Sequence, residues 1–169
     1  MMKRLLLSFM AAIPLCLVAQ TAKIAHVDVK AIYNAMPEKA LAQSQLQAFS
    51  QQYQTEYNSI QDEFNKKFAE FQAMNTDAAT PATIKERRMQ DIQESDNKIQ
   101  RFLNQAEADI AAKEKELNAP IMEKINEAIK AVGAEGGYSY IIDVSTTPVP
   151  YIGTDAIDVT PQVKAKLGL

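Results

Sequence analysis

Apolar side chains recur along the middle of this chain at a spacing that fits one straight stripe on a helix. Phe49, Tyr53, Tyr57, Ile60, Phe64, Phe68 and Phe71 stand 4, 4, 3, 4, 4 and 3 residues apart. This is an eleven-residue repeat, about 3.67 residues per turn, so the stripe runs nearly straight or slightly right-handed. Ile99, Ile110, Ile121 and Val132 keep the same step further on. Helix breakers are missing between the stripes: 43 residues separate Pro37 from Pro81 and 38 separate Pro81 from Pro120, none of them Gly or Pro. Gly and Pro cost a helix roughly 1 and 3 kcal/mol relative to Ala. The pattern therefore predicts two long helices joined near Pro81, packed as an antiparallel hairpin. The first is expected from Glu38 to Met74, about 55 Å long. A tip follows at residues 75–80, with Thr80 capping the second helix and Pro81 at its first position. Glu114 is expected on the seam of the second helix. Pro120 falls inside that helix, removes one backbone bond and marks a kink where the arm enters a compact body.

The flanks of the hairpin change period. Residues 23–29 alternate as a strand, with Ala25, Val27 and Val29 on one face and Ile24, His26 and Asp28 on the other. Residues 138–144 read as a second strand, and the adjacent Ile141 and Ile142 point to burial on both faces. Pro148 and Pro150 mark a turn, and Val149 to Ile152 fits an edge strand, where proline is tolerated. Thr160, Pro161 and Gly168 read as the cap, first residue and stop of a last short helix. The expected fold class is α+β: a small β-containing body carrying a long antiparallel α-helical coiled-coil hairpin arm. The body draws on residues 20–37 and 118–169, and the arm spans 38–117.

The amino terminus reads as a secretory signal peptide over residues 1–19: Lys3 and Arg4, an apolar stretch from Leu5 to Val18, and Ala19 before a cut that leaves Gln20 first. Without that segment the chain keeps 16 basic and 21 acidic residues, a net charge of −5, and loses its one cysteine, Cys16. An exported chain without disulfides relies on packing, oligomerisation or both. With most of the length in the arm, about 65 residues remain for a compact part, near the lower limit for a lone core. Self-association through Ile24, Val27, Val29, Ile141, Ile142 and Val144 is the simplest remedy.

Chemistry finds few residues to stand on. His26 is the only histidine. Beside Asp28 it fits a polar strand face or subunit contact better than a base and its orienter. Asp143, Asp155 and Asp158 are too scattered for a metal site and lack the Gly and dense oxygen ligands of a calcium loop. No phosphate loop is present. An acidic exported chain is a poor nucleic-acid binder. The chain is expected to be no enzyme, with no catalytic residue, cofactor or metal. Towards the tip, Phe68, Phe71, Met74, Met89 and Ile92 exceed what a narrow two-helix seam hides, which leaves soft, adaptable contacts for a partner.

The order Lys23-Ile-Ala-His-Val-Asp-Val29, a Gln-rich hairpin, Leu117-Asn-Ala-Pro-Ile121, Gly137-Tyr138, Ile141-Ile-Asp143 and Asp158-Val-Thr160 resembles the OmpH-like family of periplasmic chaperones. The resemblance implies a homotrimer whose strands build a shared body and whose three arms surround a cavity. It also implies the function, which is holding unfolded outer-membrane proteins in the periplasm and preventing their aggregation without ATP. A structural coiled-coil adaptor or spacer of the cell envelope is the alternative. One departure stands out. Residues 61–101 carry seven basic and eight acidic side chains, so a general attraction to anionic membrane surfaces is not implied. Lys66, Lys67, Lys85, Arg87 and Arg88 remain as a candidate local basic patch, set against a solvated face of mixed charge.

Overall fold

The structure is a computed structural model that describes residues 22–169. The expected signal peptide and its cut before Gln20 lie outside the described residues. The chain order is β1 (Ile24–Val27), α1 (Val29–Ala35), α2 (Glu38–Thr76), α3 (Ala82–Gly136), β2 (Tyr140–Asp143), β3 (Ile157–Asp158) and α4 (Thr160–Leu167). The sheet runs β2-β1-β3. Both outer strands are parallel to β1, with Ala25 opposite Ile141 and also opposite Ile157. Parallel neighbours need long crossovers. Here the β1-to-β2 crossover contains the whole hairpin.

The first strand is shorter than its alternation predicts. Asp28 leaves the strand and caps α1, its carboxylate accepting from the Ala31 amide at 2.7 Å. Val29 is therefore the first residue of a helix and not a strand residue. The amide of Asp28 donates to the Thr160 hydroxyl at 2.9 Å. Thr160 thus ties α4 to β1 and is itself helical; Val159 holds the cap position. The second strand also shortens, to Tyr140–Asp143, and alternates in place of being buried on both faces. Residues Val149–Ile152 form no strand, and the third strand is Ile157–Asp158. Prolines at 148 and 150 deny that stretch ladder donors.

Helix α2 has 39 residues and α3 has 55, about 58 and 82 Å long. Thr80 does not cap α3. Its hydroxyl donates to Asp77 at 2.8 Å, and the cap position falls on Pro81 with no side-chain bond. Pro120 does not end the helix: α3 runs through it and through Gly133 to Gly136. Gly137 then stops the helix at φ 63°, a left-handed conformation that glycine adopts without strain.

The core sits where β1, α1, α4 and the last turns of α3 converge. Ile32, Ile125, Val159 and Val163 are fully buried there, with Val27 and Ala25 from the inner face of the sheet. Ala42 and Leu117 carry this core into the root of the hairpin. Across the root, Lys124 pairs with Glu38 at 2.6 Å.

Candidate functional site

Among the described residues, packing leaves apolar surface uncovered along the arm and on the sheet. In the arm, α2 and α3 meet along a single seam. Ile60, Ile92, Ile99 and Ala106 are buried in it, and Phe49, Tyr53, Phe64 and Phe102 are half-buried. The Tyr53 ring packs 5.2 Å from Phe49 and 5.9 Å from Phe102. Its hydroxyl donates to Asp109 at 2.8 Å. That bond raises the Tyr53 phenol above its ordinary value, while hydrogen bonds from Gln105 and then Tyr53 hold Asp109 below the usual carboxylate range.

Towards the tip the seam departs from the aromatic repeat. The inward positions continue Ile60, Phe64, Lys67, Phe71 and Met74, so Lys67 occupies the place that the spacing assigned to Phe68. Lys67 lays its stem along the seam and donates to Ser95 across it at 3.1 Å. It also pairs with Glu63 at 2.8 Å. Ser95 is buried and donates to the Asp91 carbonyl at 2.9 Å, so no polar group is stranded at this layer. Phe68 is displaced outward, 41% exposed, and stacks on Phe64 at 6.0 Å. Met89 is 42% exposed, whereas Phe71 and Met74 are half-hidden and Ile92 is buried at 8%. Ile92 therefore belongs to the seam and is withdrawn from the expected contact surface. On α3, Leu103 is turned outward and 41% exposed. On the expected seam position Glu114 the helix turns outward, and Lys113 is the half-buried residue instead. Both differences have one cause. The steps between buried positions tighten from 4, 4, 3 towards 4, 3, and each tightening rotates the following residue off the seam.

The expected basic patch is dispersed. Lys67 is committed to the seam. Lys85 caps the tip turn, donating to the carbonyls of Asn75 and Asp77 at 3.0 and 2.9 Å. Arg88 pairs with Asp91 at 3.3 Å. Only Lys66 and Arg87 of the five have neither an ion pair nor a hydrogen-bonding role among the described residues.

The second uncovered surface is the outer face of the sheet. Ile24 is 51% exposed, and Tyr140, Ile142, Val149, Tyr151 and Ile152 are exposed beside it. Several of them line a shallow cavity of about 160 Å³ together with His26 and Val144. Of the residues expected at a subunit contact, Ile24 and Ile142 lie on this face. Val27 points the other way and is 1% exposed in the chain's own core, so alternation removes it from any contact between copies. Val29 is likewise taken up inside the body, its amide donating to Asp143 at 3.3 Å. Ile141 packs against the core, and Val144 is half-buried with its amide on the Val27 carbonyl at 3.0 Å.

His26 and Asp28 do not form a pair, because Asp28 serves as a helix cap. The ladder instead sets His26 opposite Asp158. Burial pushes the Asp158 carboxyl up, but bonds from the Thr160 hydroxyl and amide, with His26 and Lys164 nearby, outweigh it and leave it low. Asp143 is similar. Burial raises it, while the Ser145 side chain and amide, Thr146 and the Val29 amide together bring it below the usual range. These carboxylates are structural acceptors. Among the described residues no group of three or more His, Cys, Asp or Glu could hold a metal ion, and no helix is long and apolar enough to cross a membrane.

A small three-stranded body backed by short helices, with one hairpin arm inserted between its first two strands, defines an elongated α+β protein whose free apolar surface lies on the arm and the outer sheet face. The chain belongs to the OmpH-like outer membrane protein family, whose model matches residues 23–167. It is similar to the chaperone protein Skp of Yersinia enterocolitica, 26% identical over 147 residues that cover 86% of this chain and 88% of that one. The fold is similar to a solved OmpH-like chain from Caulobacter crescentus CB15, with a TM-score of 0.67 and 16% identity over 87% of this chain and 84% of that one.

Proposed function

We propose that this protein is an ATP-independent holdase chaperone of the periplasm that keeps unfolded outer-membrane proteins from aggregating. One observation carries the reading. Large apolar side chains, Phe68, Met89 and Leu103, stand half-exposed on the arm among the described residues. Scattered apolar contacts of this kind are individually weak and add through effective concentration when several act on one client. Binding non-native chains alone opposes their aggregation by mass action. The similarity to the Yersinia chaperone supports the same reading.

In this proposal residues 22–37 and 118–169 act as the body and 38–117 as the arm, with Pro120 as the hinge at its root. Three copies join through the open sheet face around Ile24 and Ile142, and their arms enclose the client. The exposed apolar face supports self-association; the number three rests on the family resemblance. The dispersed cations support client contact that is apolar more than ionic. Binding should then change little between low and moderate salt, where the Debye length falls to about 8 Å.

The test is light scattering of a urea-unfolded outer-membrane β-barrel on dilution, with and without equimolar protein. Suppressed scattering without nucleotide is expected. Unchanged scattering would leave the structural adaptor as the better reading.

A further inference from the structure

Away from the tip, where Ile84 is exposed beside Arg87, Arg88 and Asp91, the two flanks of the arm differ in kind, and the difference follows from where the seam lies. Glu63 directly precedes the seam residue Phe64, and Lys98 directly precedes Ile99. These two meet across the helices at 3.6 Å. Residues one step before the seam on α2 and on α3 thus share one flank, as an antiparallel pair requires. Asp91 and Glu94, which precede Ile92 and Ser95, fall on the same flank, and with Lys98 and Arg101 they line a polar groove there. The residues one step after Lys67 and Phe102 turn towards the opposite flank, about 100° further round each helix. Phe68 follows Lys67 and Leu103 follows Phe102. Met89 lies two heptads before Leu103, on the same face of α3. All three are half-exposed, and none lines the charged groove.

We propose that the flank carrying Phe68, Met89 and Leu103 is the surface that receives the client, and that the client lies on it as an extended segment with alternating apolar side chains. This rests on the holdase reading given above. The spacing selects the occupant. The Lys67–Ser95 and Tyr53–Asp109 bonds fix which residues stand level across the seam, placing Leu103 beside Ser59 and Met89 beside Ala73. Along the arm, Leu103 and Phe68 are then about 14 Å apart, and Phe68 and Met89 about 8 Å. An extended chain repeats its same-face side chains about every 7 Å. The two gaps match two such steps and one. Strands of membrane β-barrels alternate apolar and polar side chains in this way. A second folded copy fits poorly, because three half-exposed side chains fall far short of the roughly 800 Å² per partner that a stable interface buries.

The experiment places a benzophenone photo-crosslinking residue at position 68, 94, 98 or 103 of the full protein and adds a urea-unfolded outer-membrane β-barrel on dilution. Crosslinks to the barrel are expected from 68 and 103 and only weakly from 94 and 98. The double variant Phe68→Ser, Leu103→Ser, with its helix content checked by circular dichroism, should bind the barrel about tenfold more weakly. The variant Glu94→Ser, Lys98→Ser should bind it as the unaltered protein does. Equal or stronger crosslinking from 94 and 98 while aggregation is still suppressed overturns the flank assignment alone. Crosslinks from 68 to another copy of this chain, undiminished by client, overturn it in favour of self-contact. If the unaltered protein suppresses no aggregation, the holdase reading falls and takes this inference with it.

Discussion

The body and the arm hide their apolar side chains to different depths. In the body Ile32, Ile125, Val159 and Val163 are fully buried. In the arm the best-covered residues, Ile60 and Ile99, remain 6% exposed, and the aromatic rings around them are only half-covered. The cause is geometric. A body residue is surrounded by a sheet and several helices, whereas an arm residue faces one partner helix and has solvent on both sides. Stability in the body is therefore concentrated in a few side chains, and in the arm it is spread along the seam.

The sharpest way to break this contrast is to truncate one residue in each region. Ile125→Ala should cost about 4 kcal/mol of global stability, read from urea unfolding followed by circular dichroism. Ile99→Ala should cost about 2 kcal/mol and loosen mainly the outer arm, read as faster amide exchange between residues 90 and 105. Equal global losses would show that the arm and the body unfold as one unit. A smaller effect is expected at the junction. Pro120→Ala restores an amide donor to the Glu116 carbonyl and should raise stability by about 1 kcal/mol. If Pro120 is the hinge, the same change slows client capture. Unchanged capture with slower exchange at the root would confine the proline to a structural role.

Acid sharpens the contrast from the side of the body. Asp143 is held below its ordinary value by Ser145, Thr146 and Val29 against the opposing effect of burial. A carboxylate lowered on folding contributes stability that is complete above the unfolded value, about pH 4, and is lost as pH falls through the folded one. With solvent screening that contribution is at most about 1 kcal/mol. Thermal melts at pH 7 and pH 3 should show Asp143→Asn less stable at pH 7, with a smaller deficit at pH 3. An equal deficit at both would mean that the shift is not what the residue contributes. The smallest effect belongs to the arm. Lys67→Met replaces a cation in the seam by an adaptable apolar side chain and should raise the arm's melting midpoint by about 2 °C. A lower midpoint would show that the Lys67–Ser95 bond secures the pairing more than packing does.

Most of the fold could be read in advance because Gly and Pro leave plain gaps and the arm's helices are long. Small errors of phase accumulate over such lengths, and they decide the surface. The eleven-residue repeat ran its stripe through Phe68, while the crowding of apolar residues near the tip already marked Phe68 as a contact residue; a single 3-residue step in place of a 4 put Lys67 on the seam and turned Phe68 out. Hydrophobicity favoured the wrong assignment, because a lysine stem that reaches Ser95 and Glu63 has no signature in composition. Ile92 erred the other way: expected at the contact surface, it is buried because the 3- and 4-residue steps of α3 bring it onto the seam with Ser95 and Ile99. In the body, alternation was legible but strand ends were not. Asp28 reads equally well as a polar strand residue and as a helix cap, and the helix that it caps takes Val29 with it. The open sheet face was half legible: Ile24 and Ile142 follow from alternation, whereas the exposure of Tyr151 depends on a loop whose path no periodicity describes.

The place of β1 in the sheet has a consequence for how the chain acquires its shape. The strand nearest the amino terminus is the central one, and both neighbours lie more than a hundred residues later, at Tyr140–Asp143 and Ile157–Asp158. During synthesis the hairpin can zip up through contacts that begin at its own tip, while β1 waits unpaired. Pairings between such distant segments form slowly, because the loop must close before any bond rewards it. The body and its open face should therefore be the last parts to appear. A chain halted near Gly137 would carry a finished arm on an unmade sheet, and only the complete chain would offer the surface through which copies could meet.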